Sequence, residues 1–356
     1  MDSSGFELSW AISHPELDRS EEDDRVANGR AAVIGAGLAG SAAARALAAR
    51  DFTVVLFDKG RGPGGRMSTR RAETPLGPVR FDHGAQFITA TGESFSEFLE
   101  QARTAGAADL WTGRTVSIDR GGNAESLREK TRWVGVPGMS AIVKTALDGF
   151  DARFGRRASH VSGEAGAWMI HFEDSPVEGP FDRLVLTLPP EQLIEFLARS
   201  DGDFSEIIAE ALAAKLSPCW AVMTVPANAA DPGFDGAKLL GGAVRWMARM
   251  NSRPGQDGPD AWVLHASPDW SEAFLESDAD TVARSLTEEA FIRFGLPMPV
   301  WSQAHRWRYA LVTEAPGTPF GRDPSGTLGC AGDWRLGPRA ELAWESGEAL
   351  GQTLAD

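Results

Sequence analysis

The stretch Val33-Ile34-Gly35-Ala36-Gly37-Leu38-Ala39-Gly40 constrains this chain more than any other. Ala31-Ala32-Val33-Ile34 is a short apolar run suited to a buried parallel strand. Gly35 allows a tight turn out of it, Gly37 has no Cβ and admits a close approach to the backbone, and Gly40 lets the next helix pack tightly on the sheet. Ser41 to Arg50 is rich in alanine and free of proline and glycine, so it reads as that helix. Its N-terminus offers unpaired N–H groups and a positive dipole end to phosphate. Asp58 closes the second strand, 18 residues past Gly40, where a carboxylate accepts hydrogen bonds from an adenosine ribose. A lone G-x-G-x-x-G also occurs in ordinary glycine turns. Here the flanking strand, the helix and the spaced acid together mark a dinucleotide-binding βαβ unit.

A plain NAD dehydrogenase has no reason to follow that second strand with Lys59-Gly60-Arg61-Gly62-Pro63-Gly64-Gly65-Arg66. The loop is basic and falls near the pyrophosphate, where Arg66 can pair with phosphate oxygens in a bidentate way. The competing reading is a solvated basic loop. It loses ground to the segment that follows, Phe81-Asp82-His83-Gly84-Ala85-Gln86-Phe87-Ile88-Thr89.

Taken in order, Gly35-x-Gly37-x-x-Gly40, Phe57-Asp58-Lys59, Gly64-Gly65-Arg66-Met67, Asp82-x-Gly84-Ala85-Gln86-Phe87-Ile88-Thr89, Val136-Pro137-Gly138-Met139-Ser140 and Gly332-Asp333-Trp334 resemble the flavin amine oxidase superfamily, and within it the renalase family. The resemblance spans about Ala31 to Gly347. It implies an α/β fold in which a Rossmann-like FAD-binding domain is interleaved with an α+β substrate domain built on a mixed sheet. It implies non-covalent FAD held by Gly35, Ala36, Gly37, Leu38, Ala39, Gly40, Asp58, Lys59, Gly65, Arg66, Met67, Gly84, Ala85 and Gln86. Ala158 falls near adenine, Asp333 after Gly332 receives hydrogen bonds from the ribityl or pyrophosphate region, and the helix carrying Glu341 and Leu342 meets the flavin. The activity it implies is oxidation of dihydronicotinamide isomers, with electrons passed to O2 as hydrogen peroxide. Two positions depart from the family pattern. Leu342 stands where a glycine follows a glutamate, and Arg253 stands where a lysine is usual, keeping the charge but changing the hydrogen-bond geometry.

At 356 residues the chain can hold two lobes and a sizeable core. A formal charge of −15 argues against nucleic acid or an anionic membrane as partner. Residues 1–30 carry eight carboxylates against three arginines, and residues 1–28 read as a disordered or loosely docked acidic extension rather than a secretory signal. No run approaches the ~18 apolar residues of a membrane span. Cys219 and Cys330 give neither a disulfide framework nor metal spacing, which fits a reducing cytoplasm and no metal site.

The order of segments divides the chain into residues 29–90, 136–214 and 313–356 for FAD, and residues 91–135 and 215–312 for the substrate domain. Glu93 to Arg103 reads as a helix, Ser140 to Leu147 as a second helix capped by Ser140, and Ala152 to Val161 and Ala167 to Phe172 as paired strands. The helix after Pro338 would aim its positive end at the flavin N1/O2 locus.

Hydride transfer from a dihydropyridine needs no acid or base on the protein, only placement and exclusion of water. An aromatic pocket with few polar anchors is therefore expected, and 12 Trp and 18 Phe beside a single Tyr fit it. His265, between apolar neighbours, is the candidate to bond a carboxamide, and Trp307 the candidate to stack on a nicotinamide, with Arg308 nearby. The alternative is a satisfied core histidine and a packing tryptophan. Alternation over Val244–Arg249 puts Arg245, Met247 and Arg249 on one side, facing either an anionic substrate tail or solvent. Rival functions are an amine oxidase or desaturase acting on a small amine or hydrocarbon, and a flavin-bound redox sensor without turnover. With one tyrosine, Tyr309, a two-tyrosine amine cage is impossible.

Overall fold

The computed structural model describes residues 28–127 and 130–356. Apart from Asn28, the acidic extension lies outside them. Gly29–Ile34 is the central strand of a six-stranded sheet. It runs parallel to Phe52–Asp58 on one side and Arg183–Leu186 on the other, with Val33 in register between Leu56 and Val185. Asp151–Phe154 extends one edge. Leu328–Cys330 extends the other, followed by Gly321–Arg322, which alone runs antiparallel. The glycine helix covers one face of the central strand and the three-stranded sheet of Ala158–Glu164, Ala167–Phe172 and Glu178–Phe181 lies over the other, which is why Ala31, Ala32 and Val33 are wholly buried.

The glycine helix spans Leu38–Ala48, starting a turn earlier than the alanine pattern suggests, because Gly37 in an extended conformation serves as its N-cap with no side chain. The C-terminal helix Ala340–Ala355 lies against it, backbone to backbone. A Cβ on Gly347 would fall 2.0 Å from the Ala39 carbonyl oxygen, and one on Gly351 2.6 Å from that of Ala43. Helix Glu93–Thr104, assigned from sequence to the substrate domain, stacks Phe98 on Trp344 of this C-terminal helix, with centroids 4.4 Å apart.

Two local expectations need correction. Ala152–Val161 is not one strand, because it breaks at Gly155, whose φ is +70°; Asp151–Phe154 joins the main sheet and Ala158–Glu164 pairs with Ala167–Phe172. Ser140 does not cap its helix. The N–H groups of Met139 and Ser140 donate instead to Asp82 Oδ1 (2.9 Å) and Thr69 Oγ1 (3.1 Å), so a distant segment satisfies that helix end.

The second lobe is a seven-stranded mixed sheet. Its order is Pro299–Glu314, Lys215–Pro226, Trp262–Ala266, Val244–Arg249, Gly236–Leu239, Thr115–Ile118 and Ala124–Ser126. Neighbours are antiparallel except Gly236–Leu239 beside Thr115–Ile118. Strand alternation sets its faces. Trp262, Leu264 and Ala266 pack in one core with Val282, Leu286 and Phe291 of helix Ala279–Phe294, whereas Val263 points the other way, into the cluster that holds Val79 and Phe81 of strand Gly77–Asp82. His265 therefore faces the dinucleotide lobe. No helix among the described residues is long and apolar enough to cross a membrane.

Candidate active site

One continuous cavity of about 1370 Å³ runs from the Gly35–Gly37 turn to the seven-stranded sheet. A pocket for one small molecule takes ~300–1,000 Å³, so a dinucleotide and a second ligand fit together. Gly35, Gly37, Leu38, Ala39, Asp58, Lys59, Gly65, Arg66, Met67, Gly84, Ala85, Gln86, Ala158, Gly332 and Asp333 line it.

Ala36 and Gly40 lie beneath the wall. The Ala36 N–H donates to Asp58 Oδ2 at 2.8 Å, and a Cβ on Gly40 would fall 1.9 Å from the Gly35 carbonyl oxygen. Gly37 and Gly65 differ: nothing lies within 4 Å of a Gly37 Cβ, and only the Gly37 Cα, at 3.8 Å, approaches one on Gly65. The helix that starts at Gly37 has no acidic residue in its first turn. An open glycine floor, free N–H groups and a dipole end are what a pyrophosphate requires, so the residues present fit the expected FAD. Each Asp58 oxygen already accepts one backbone N–H, Oδ1 taking that of Gly60 at 2.6 Å, and retains acceptor capacity for a ribose hydroxyl.

Three expected contacts are rearranged. Arg66 and Asp333, read from sequence as separate cofactor contacts, form a bidentate pair with each other (Nη1 to Oδ2 2.8 Å), tying the second glycine loop to the last one. Glu341 is buried away from the cavity, accepting the Thr91 and Gly92 N–H groups and Arg339 Nη1, the last at 2.9 Å. Leu342 leans on Gly337. The C-terminal helix thus meets the cavity through Pro338, Arg339, Ala340 and Ala343. Glu341 is a clamp on the Thr91–Gly92 turn.

At the far end, the alternation of Pro299–Glu314 decides who faces inward. Trp301 stacks on Phe81 at 5.4 Å, and His305 and Trp307 follow on that face. Arg306 and Arg308 take the opposite face, where both pair with Glu276. Arg308, a candidate beside the reacting centre from sequence, is therefore held at the rim by that carboxylate. Met247 and Arg249 share a face as expected, opposite Leu264 and Trp262, but that face is the core side, where Arg249 is engaged by Asp260 at 2.6 Å; Arg245 leaves the row and lines the cavity beside Trp246.

His265 Nε2 and Trp307 Nε1 both donate to the carbonyl oxygen of His83, at 3.2 and 3.0 Å. The His83 ring packs on His305 (4.8 Å) and Trp307 (5.2 Å). His83 and His305 were not among the sequence candidates. The period-two link to Trp307 could have flagged His305, and the turn Asp82-His83-Gly84 could have flagged His83. Burial, and behind it the His305 ring and Arg70, pushes the His83 imidazole down to about 3. Burial pushes His265 down to about 4, and burial with Arg70 lowers His305. The site therefore presents neutral imidazoles. With Nε2–H donated, His265 keeps Nδ1 as an acceptor.

These depressed values have a sign. The unfolded chain takes up protons on these histidines below about 6.5, while the folded chain does not until about 4 for His265, so the unfolded state binds more protons between the two. Stability from His265 is complete above pH 6.5 and is lost as pH falls toward 4, by up to ~1.4 kcal/mol per pH unit. Thermal unfolding of the FAD-loaded protein across pH 4–8 should show that slope, shallower in His265→Asn.

The fold is one shared with several solved oxidases, and FAD is the expected cofactor. Residues 33–102 match the model of the NAD(P)-binding Rossmann-like domain. The chain is a homologue of renalase from Mus musculus, 26% identical over 313 residues that cover 80% of this chain and 86% of that one. Its fold superposes on cyclohexylamine oxidase from Brevibacterium oxydans (TM-score 0.70, 12% identity, 92% of this chain and 98% of that one). It also superposes on a CLA-producing fatty acid isomerase from P. acnes (TM-score 0.67, 13% identity, 91% and 98%). An oxidase and an isomerase on one fold leave the reaction to the site.

Proposed function

We propose that the protein is a FAD-dependent oxidase that takes a hydride from dihydronicotinamide dinucleotide isomers and delivers the electrons to O2. The observation that carries this reading is the inner wall: two side chains hung on one carbonyl, His265 and Trp307, among neutral imidazoles. The seven-stranded sheet contributes no carboxylate to the cavity. A dihydropyridine gives up a hydride and becomes a pyridinium without any base. An alkylamine arrives as a cation and must lose a proton, and the sheet wall that carries His265 and Trp307 offers it no carboxylate among the described residues; Glu195 lines the cavity from the helix Pro190–Leu197. Bound FAD would supply the two-electron acceptor, and the overall exchange balances as dihydronicotinamide plus O2 plus one proton from solvent giving the pyridinium and hydrogen peroxide. The chain's own part is placement and exclusion of water. Trp307, its plane fixed through Nε1, offers a face to the nicotinamide, and His265 Nδ1 accepts from the carboxamide. Arg308 serves the rim through Glu276.

Peroxide release during aerobic turnover tests this. The 2- and 6-dihydro isomers of NADH should each yield one peroxide per NAD+, and simple amines none. Trp307→Ala should lower kcat/KM about 100-fold, the penalty of a ~1 Å misplacement of the donor ring. Unimpaired turnover by that variant would overturn the placement.

A further inference from the structure

Beyond the ring site, the same cavity wall carries two cations with no partner among the described residues. Lys238 and Arg245 are exposed, both line the cavity, and neither makes a hydrogen bond or ion pair among the described residues. The other basic side chains of this part of the sheet are engaged: Arg249 by Asp260, and Arg306 and Arg308 by Glu276. Leaving two free cations side by side is unfavourable unless something anionic comes to them, and this chain carries a formal charge of −15.

The backbone aims them. Lys238 pairs across the strands with Trp246, and Trp246 pairs with His265 on the other side. Plain alternation would turn Arg245 away from Trp246. The register is irregular between Val244 and Trp246, and Arg245 lines the cavity as Trp246 does. Bulges beside active sites re-aim side chains in this way. Arg245 thus stands one residue from the position opposite His265, and its charge is felt there.

We propose that Lys238 and Arg245 form an anion subsite that holds the phosphate-bearing arm of the substrate, so that the enzyme selects phosphorylated dihydronicotinamides over the bare ring. This rests on the dihydronicotinamide reading and names the part of the molecule that earns selection. A guanidinium and an ammonium on adjacent strands suit phosphate oxygens, Arg245 by its planar fork and Lys238 as a compact charge.

Two measurements on the FAD-loaded protein separate this subsite from the reaction. In the first, inorganic pyrophosphate is titrated calorimetrically into wild type, Lys238→Gln, Arg245→Gln and the double variant. With the cofactor cradle filled, wild type should bind pyrophosphate, each single variant should weaken it about 10-fold and the double variant further, in the range of charge-assisted hydrogen bonds. Retained flavin absorbance and an unchanged Tm show that the variants are folded. In the second, kcat/KM is compared for dihydro isomers of nicotinamide mononucleotide and of N-methylnicotinamide. The ratio of the two should fall at least 10-fold in the double variant. No pyrophosphate binding by wild type, or binding and ratio that the substitutions leave alone, overturns the subsite. If pyrophosphate binds as expected but no isomer reduces the flavin, the subsite stands and the dihydronicotinamide reading falls.

Discussion

Gly40→Ala is expected to yield a protein that cannot retain FAD. The added methyl would fall 1.9 Å from the Gly35 carbonyl oxygen and 3.2 Å from Val33 Cγ1, and the first of these is backbone that cannot rotate aside. The glycine helix must back away from the sheet, and the C-terminal helix seated on it through Gly347 and Gly351 must follow. Overpacking of this kind costs about 1–3 kcal/mol, and it moves the N–H groups that hold phosphate. The absorbance ratio at 450 and 280 nm after desalting should drop at least 10-fold. Gly37→Ala is the contrast. Its methyl enters open space, so the apoprotein should keep its Tm, while FAD binding weakens because that space belongs to the pyrophosphate. Equal Tm losses in both variants would contradict the division of labour between the two glycines.

The second large effect lies behind the Asp82–Gln86 turn. Arg253 and Asp82 are an ion pair with no exposure on either side chain, Nη1 to Oδ2 2.8 Å, and Arg253 Nη2 donates to Gln86 Oε1 at 2.8 Å. Asp82 also accepts from Thr69, Met139 and Gln256. Arg253→Met leaves that carboxylate buried without its counter-charge, and loss of one partner of such a pair costs ~3–5 kcal/mol. Urea unfolding of the FAD-loaded variant should show it. Arg253→Lys should fall between, because a single ammonium cannot reach Asp82 and Gln86 with separate planar donors. The arginine spans two residues of the turn that carries His83. A loss below 1 kcal/mol in Arg253→Met would show that the pair does not hold the turn.

The parts of this molecule that were legible in the sequence are those whose determinants sit close together in the chain. Gly35, Gly37, Gly40 and Asp58 announce themselves through spacing, because a turn, a helix start and a strand end are local events. Pairings made across long separations left no such trace. Arg66 meets Asp333 across 267 residues, and the helix at Ser140 is satisfied by Asp82 and Thr69 rather than by its own serine. The same holds for Glu341, whose partners Thr91 and Gly92 are about 250 positions away. Strand alternation was readable for His265, kept Met247 and Arg249 on one face as expected, and would have separated Trp307 from Arg308, but it misplaced Arg245, because the register is irregular between Val244 and Trp246. That His265 and Trp307 share the His83 carbonyl follows from tertiary packing alone.

The central claim is tested most directly by mixing the FAD-loaded protein anaerobically with purified 2- or 6-dihydro-NADH and following the flavin band near 450 nm in a stopped-flow instrument. Rapid and complete bleaching by the isomers, absent with 4-dihydro-NADH and with simple amines, is the predicted result. Bleaching by an amine, or a flavin that stays oxidised with every dihydronicotinamide, would contradict the account.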